Sequence, residues 1–191
     1  MTTAAPAPGK SLWKALIPIV LIVAVSAGVL TFVKSRAGHP GGGASVELRE
    51  GANVPDFRLQ PFARGEPVLA SSLKAKVVLV NFWATWCEAC MEEMPSIVKL
   101  REGFASQGLE VVAVNMDENP AAVLPKALKD FGIAFPVYVD TDAKLSETFD
   151  VRAIPFTVVM DRNRRVLFLE AGGRNWNSAE MQALVKQWLA G

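Results

Sequence analysis

Cys87 and Cys90 are the two cysteines of this 191-residue chain, and they lie three positions apart. A disulfide between them would close a very short loop and would stabilise the fold little, because the stabilisation expected from a cross-link grows with the loop that it closes. The pair is better suited to reversible exchange, in which a thiolate attacks a disulfide sulfur. We therefore expect these two cysteines to be the reactive groups.

The position of Cys87 favours a reactive thiolate. It follows residues 77–81 (VVLVN), an apolar run typical of a strand buried on both faces, and it precedes a stretch with helical periodicity. The first turn of a helix has unpaired N–H groups and the positive end of the helix dipole, which lower a thiol pKa from about 8.5. Cys90 would face inward one turn later. The pattern predicts that Cys87 attacks and Cys90 resolves the mixed disulfide.

Other chemistries have less support in the composition. The single histidine, His39, lies in a Gly/Pro-rich stretch, so the four ligands of a zinc site cannot be assembled from one Cys-x-x-Cys pair, and no metal is expected. The net charge of +1 without a long run of one sign does not favour nucleic acid as a partner.

The composition of the N-terminal region is typical of a targeting segment. Residues 15–33 are uncharged over 19 positions, close to the roughly 20 that a membrane-spanning helix needs. A cleaved signal peptide is the alternative, with a small-residue site at Val25-Ser26-Ala27. The expected organisation is a cytoplasmic N-terminus (1–14), a transmembrane anchor (15–33), a flexible linker (34–50) and a globular domain (51–191).

Strand and helix patterns alternate through the domain and predict an α/β fold with a mixed sheet, helices on both sides and an antiparallel pair at the end. Ser178 is predicted to cap the last helix, and Asn163 to take a positive φ in the last hairpin turn. The predicted strands follow residue 57 and cover 67–70, 77–81, 110–115, 136–140, 156–160 and 166–169; the predicted helices cover 88–106, 121–131, 144–149 and a stretch after 178.

Residues 77–90 (VVLVNFWATWCEAC), with the following MEEMP, resemble the active-site strand and helix of the thioredoxin fold. In detail they resemble membrane-anchored thiol–disulfide reductases of the TlpA/ResA/DsbE type. The resemblance extends to the opening 54–57 (VPDF), to Pro95 and to Ile154-Pro155. It implies a thioredoxin-like fold, a mixed central sheet flanked by helices, with an N-terminal β-hairpin and an extra strand–helix step (136–149), preceded by a transmembrane helix.

The resemblance also implies roles at the site. Pro155 would be a cis-proline packed against the disulfide, and Ile154 would present its backbone to bound substrate. Trp86, beside Cys87, is expected at the rim of the site as a substrate-binding residue, whereas Trp83 is expected in the core. Glu88 and Ala89, between the cysteines, are candidates for tuning the reduction potential.

Glu93 is the candidate acid–base group. Thioredoxins keep a buried aspartate as proton carrier where this chain has Asn81, which cannot titrate. Glu93 lies three residues after Cys90, on the same predicted helix face. Partial burial would raise its pKa towards the range useful for proton transfer. The alternative is a solvated glutamate, which is how we interpret Glu92.

By this resemblance the protein is an extracytoplasmic oxidoreductase on the periplasmic side of the inner membrane. It would reduce the haem-binding cysteines of apocytochromes c or copper-site cysteines of assembly factors. A membrane electron carrier of the DsbD/CcdA type would recharge it, and no cofactor beyond the Cys87–Cys90 disulfide is expected. Two alternatives stay open: a peroxiredoxin-like peroxidase, although Thr85-Trp86-Cys87 is one residue short of its Thr-x-x-Cys context, and a non-enzymatic copper-binding module.

Overall fold

A computed structural model describes residues 48–191, which contain one seven-stranded mixed sheet. The strands are β1 (Arg58–Pro61), β2 (Val68–Leu69), β3 (Val77–Trp83), β4 (Leu109–Asn115), β5 (Val137–Val139), β6 (Phe156–Asp161) and β7 (Val166–Ala171). They lie in the sheet in the order β2-β1-β5-β4-β3-β6-β7. The α-helices are α1 (Glu88–Phe104), α2 (Pro120–Asp130), α3 (Lys144–Thr148) and α4 (Ala179–Ala190).

Strands β3, β4 and β5 are parallel, and every other neighbouring pair is antiparallel. The predicted mixed sheet, N-terminal hairpin, extra strand–helix step and closing antiparallel pair are therefore confirmed. Strand β3 runs two residues further than expected because Phe82 and Trp83 continue the parallel pairing with Val114 and Asn115.

Burial on both faces explains the unbroken apolar sequence of β3. Leu79 and Trp83 lie in the core cluster that α1, α2 and α4 cover, whereas Val80 and Phe82 lie in a second cluster with α3 and the N-terminal segment. Side chains alternate between the faces of a strand, so a central strand covered on both sides must be apolar throughout. The carboxyl end of β3 therefore places the cysteine segment near the middle of the sheet, at the carboxyl ends of its parallel strands.

The β6–β7 turn differs from expectation. Arg164, not Asn163, has the positive φ, at 62°. The reason is the Asp161 carboxylate, whose Oδ1 accepts the backbone N–H of Asn163 at 2.7 Å and of Arg165 at 2.9 Å. These two bonds fix the turn around Asp161 and leave the left-handed position to Arg164, although asparagine adopts it more readily.

The predicted segments 1–14 and 15–33, and most of the linker 34–50, lie outside the described residues. Within residues 48–191, no helix combines the length and the apolar character that crossing a bilayer requires.

Candidate active site

Cys87 and Cys90 form a disulfide at the start of α1, with a Cα–Cα distance of 5.2 Å. Cys87 is the N-cap residue, and its Sγ accepts the backbone N–H of Cys90 at 3.2 Å. A thiolate at Cys87 would meet the same N–H group and the positive end of the helix dipole. The oxidised pair is well covered: Cys87 is 8% exposed and Cys90 is fully buried. Cys87 is thus the more accessible sulfur, as the predicted order of attack requires.

The segment that leads into Cys87 is held by Asp117, a residue that the sequence analysis missed. The Asp117 carboxylate accepts the backbone N–H of Thr85 at 2.9 Å and the Thr85 hydroxyl at 2.8 Å. It also accepts Asn115 Nδ2 at 2.6 Å. Asp117 is only 5% exposed, so these bonds act in a water-poor setting and fix the backbone two residues before Cys87.

Glu93 is buried, with 3% of its surface exposed. Its Oε1 accepts Asn81 Nδ2 at 2.7 Å, and its Oε2 accepts the Trp176 indole N–H at 3.1 Å and the backbone N–H of Arg174 at 3.2 Å. Burial raises the Glu93 pKa above its ordinary value of 4.5, and these three donors act in the opposite direction. Glu93 and Cys90 both lie on the buried side of α1, one helical turn apart. Glu92 is exposed, as expected.

Asn81 belongs to the site as a hydrogen-bond donor, although its side-chain amide cannot titrate. It is fully buried on β3, and its Nδ2 donates to Thr157 Oγ1 at 2.9 Å as well as to Glu93. An amide in this position cannot accept the Cys90 proton as an aspartate could, but its hydrogen bond orients the Glu93 carboxylate.

Trp86 and the Ile154-Pro155 segment are the predicted substrate-side residues. Trp86 is 69% exposed, whereas Trp83 is fully buried in the core. The Ile154–Pro155 peptide bond is cis, as the resemblance implies, and the Pro155 carbonyl accepts the Gly172 N–H at 2.9 Å. Ile154 is half-buried.

The residues between the cysteines face outward. Glu88 and Ala89 are exposed in the first turn of α1. Gly173 lies against this turn, so that a Cβ at Gly173 would be 3.4 Å from the Ala89 carbonyl oxygen. The tuning of the reduction potential by Glu88 and Ala89 stays a prediction.

Comparison with known proteins agrees with this site. Residues 49–185 match the redoxin family. The chain belongs to the redoxin family. The thiol-disulfide oxidoreductase ResA of Bacillus subtilis is 38% identical over 125 residues, which cover 65% of this chain and 69% of that protein. ResA of Halalkalibacterium halodurans is 30% identical over 125 residues, 65% of this chain and 70% of that protein.

Among solved structures, a thiol:disulfide interchange protein of the thioredoxin family from Chlorobium tepidum superposes with a TM-score of 0.62 at 28% identity. The match covers 75% of this chain and 99% of that one. This redoxin therefore has the thioredoxin-like fold and is a thiol–disulfide oxidoreductase that acts on disulfide-containing substrates.

A groove of about 620 Å³ runs along α1 of this redoxin, from Ala89, which lies between the two cysteines in sequence, to Lys99. One wall is α1, with Ala89 and Glu93, and the other is the loop between β7 and α4, with Gly173 and Arg174. This loop also carries Trp176, the second residue that the sequence analysis missed. A tryptophan in a loop belongs to no periodic pattern, so the sequence did not indicate that the Trp176 indole would contact Glu93.

Proposed function

We propose that this redoxin reduces disulfides in other proteins outside the cytoplasm. The observation that carries the proposal is the redox pair at the start of α1 with a buried carboxylate, Glu93, one turn further along. Residues 15–33, uncharged over 19 positions, support a membrane anchor, and the disulfide chemistry of the domain supports its location outside the cytoplasm.

In the reduced enzyme, the Cys87 thiolate attacks one sulfur of the substrate disulfide. A mixed disulfide forms, and the first substrate thiolate leaves. Cys90 then loses its proton and attacks Cys87 Sγ, which releases the second substrate thiolate. Two electrons pass to the substrate, and the enzyme is left with the Cys87–Cys90 disulfide seen here. Mixed disulfide exchange with a membrane dithiol donor of the DsbD/CcdA type returns the pair to the reduced form.

Glu93 is the proton acceptor in the resolving step. Cys90 is fully buried, and burial disfavours its thiolate. A carboxylate on the same helix side can take the proton and later return it when the enzyme is reduced again. Asn81 cannot do this, and its hydrogen bond to Glu93 Oε1 holds the carboxylate in place.

The substrates are the haem-binding cysteines of apocytochromes c or the copper-site cysteines of assembly factors. The exposure of Trp86 supports a substrate-binding role for this residue, because an exposed indole beside Cys87 offers apolar contact area to an incoming chain. By the resemblance, Ile154 would present its backbone to the bound substrate, and Pro155 would pack against the disulfide.

Equilibrium titration of the Cys87–Cys90 couple tests the direction of electron flow. A reductant should stay oxidised in glutathione buffers and become half reduced only against dithiothreitol, because its potential must lie below that of its substrates. A pair that glutathione reduces readily would be an oxidant, contrary to the proposal. Rapid consumption of hydrogen peroxide by the reduced enzyme would instead favour a peroxidase.

A further inference from the structure

The loop between β7 and α4 covers the Glu93 carboxylate. Trp176 is fully buried, and its indole N–H points at Glu93 Oε2 from 3.1 Å. The backbone N–H of Arg174 reaches the same oxygen from 3.2 Å. The two donors come from a segment about 80 residues further along the chain than their acceptor.

Contacts on both sides fix this loop. The Trp176 backbone N–H donates to Ser96 Oγ at 2.9 Å, and that hydroxyl donates to the Glu93 carbonyl at 2.7 Å. The Trp176 ring meets Phe168 edge-on, with centroids 6.3 Å apart. The Arg174 guanidinium pairs with Glu170 at 3.1 Å. The position of the indole N–H is thus set by α1 and by β7 together.

The hydrogen-bond donors around Glu93 favour its ionised carboxylate form over the protonated acid. An indole N–H and a backbone N–H can donate but cannot accept, so neither can receive a hydrogen bond from a protonated carboxyl group. The third donor, Asn81 Nδ2, has the same property. Three donors around a buried carboxyl group stabilise the carboxylate and oppose the effect of burial.

The charged groups around Glu93 are few among the described residues. Glu170 on β7 acts on Glu93 by charge repulsion and raises its pKa. Arg174 in the loop is paired with Glu170. On α1 itself, Glu92 and Lys99 line the same groove and are exposed, and Cys90 lies one turn before Glu93.

We propose that Trp176 is a positioning residue that holds Glu93 in the ionised form, ready to accept the Cys90 proton, and thereby sets the lower pH limit of disulfide exchange. The proposal rests on the proposed proton-acceptor role of Glu93 and deepens it. Ser96 and the Arg174–Glu170 pair keep the loop that carries Trp176 against α1.

The test is Trp176→Phe in the full-length protein in detergent, with the rate of exchange followed against pH. Phenylalanine keeps an aromatic ring and removes the N–H donor. Loss of a hydrogen bond to a charged group should move the acidic limb of the profile to higher pH by about one to two units. The rate on that limb falls by about 10-fold or more, whereas the rate well above the limb stays near the parent value.

Trp188→Phe is the matched control. Trp188 lies against the same Phe168 ring, with centroids 5.8 Å apart, and is half-buried on α4. Its replacement perturbs the packing of the loop region without removing the donor to Glu93, so the acidic limb should stay in place. Equal shifts in both variants would mean that packing, not the hydrogen bond, moves the limb, and the proposal would be wrong.

Glu93→Gln separates this inference from the proposed function. If Glu93→Gln leaves the acidic limb unchanged, the proton-acceptor role itself is wrong. If Glu93→Gln removes the limb but Trp176→Phe does not move it, the role of Glu93 stands and the inference about Trp176 fails. In the double variant, Trp176→Phe should have no further effect on the limb.

A measurement on unsubstituted Trp176 covers the case in which Trp176→Phe does not fold. With ¹⁵N-labelled tryptophan, the Trp176 indole N–H resonance should shift with pH at the midpoint of the acidic limb. The shift should be absent in Glu93→Gln. An indole resonance that does not change across the limb would contradict the proposal without any variant at Trp176.

Discussion

Two opposing effects, burial and hydrogen-bond donors, act on the pKa of Glu93. Burial favours the neutral acid, whereas the donors from Asn81, Trp176 and Arg174 favour the carboxylate. The net result is a Glu93 pKa above its ordinary value. Glu92, one residue earlier on α1, is exposed to solvent.

Glu93→Gln should slow thiol–disulfide exchange by about 10²–10⁴-fold, the usual contribution of an acid–base group. The rate profile should also lose one ionisation. Stopped-flow measurement of substrate reduction across pH checks both effects, with Glu92→Gln as the control on the exposed side of the same turn. Parent-like rates with an unchanged profile would make Glu93 a structural residue.

The stability of the protein should also respond to Glu93. Its pKa is 4.5 as a free group and higher when folded, so between these two values the folded state binds more protons than the unfolded state. The free energy of unfolding therefore falls as pH rises through that interval. Urea unfolding at a series of pH values should show this fall in the parent and a flatter dependence in Glu93→Gln. The same slope in both proteins would contradict the assignment.

Replacing Cys87 and replacing Cys90 by serine should have different effects on disulfide exchange. Cys87→Ser should abolish disulfide reduction, because the attacking sulfur is gone, whereas Cys90→Ser should trap mixed disulfides that cannot be resolved. Non-reducing electrophoresis after incubation with a disulfide-containing substrate distinguishes the two. Capture by Cys87→Ser and not by Cys90→Ser would reverse the assignment.

At the scale of elements, the site depends on the ends of two neighbouring parallel strands. Strand β3 ends shortly before Cys87, and β4 ends shortly before Asp117. Parallel pairing brings these carboxyl ends together, which lets the Asp117 carboxylate hold Thr85 by its N–H and its hydroxyl. The start of α1 is therefore positioned by the sheet as well as by its own helical preference.

Asp117→Ala should destabilise the protein by about 2–4 kcal/mol, since it leaves the Thr85 N–H and the Asn115 amide without their acceptor in a buried setting. It should also increase the susceptibility of Cys87 to alkylation in the reduced protein, because the preceding backbone is released. Chemical unfolding and iodoacetamide kinetics measure the two effects. The control is Asp130→Ala on the exposed end of α2, and equal behaviour of the two variants would exclude the role of Asp117.

At the scale of the whole molecule, the described chain begins at the end of the sheet away from the disulfide. The Gly51 N–H donates to the Val166 carbonyl, and β6 places Asp161 beside Val77 at the amino end of β3. The seven residues of β3 then span roughly 20 Å towards Cys87. The start of the described chain and the redox pair therefore lie at opposite ends of β3.

The proposed anchor predicts that the mature protein sediments with the membrane fraction and that protease reaches its domain only from the outer side. The physical reason is the uncharged stretch of residues 15–33, long enough to span the hydrocarbon core. Fractionation and protease protection of spheroplasts measure this. N-terminal sequencing that begins near Gly28 would instead indicate a cleaved signal peptide.

The sequence alone determined the features that depend on neighbouring residues. Alternation and apolar runs identified the strands and helices, and the spacing of Cys87 and Cys90 after a buried strand identified the redox pair, because periodicity and helix-start chemistry act within a few residues. A local prediction failed at the β6–β7 turn, where the Asp161 side chain decided the backbone geometry.

Only the tertiary structure decided what surrounds the redox pair. Trp176 and Asp117 reach their partners across 83 and 32 residues of chain, respectively, and nothing in their own neighbourhoods marks these contacts. They exist because the strand order brings β4 beside β3 and because the loop after β7 closes over α1. The acid–base role proposed for Glu93 depends on burial and on donors that this closure supplies, so it could be argued only from the fold and not from the motif.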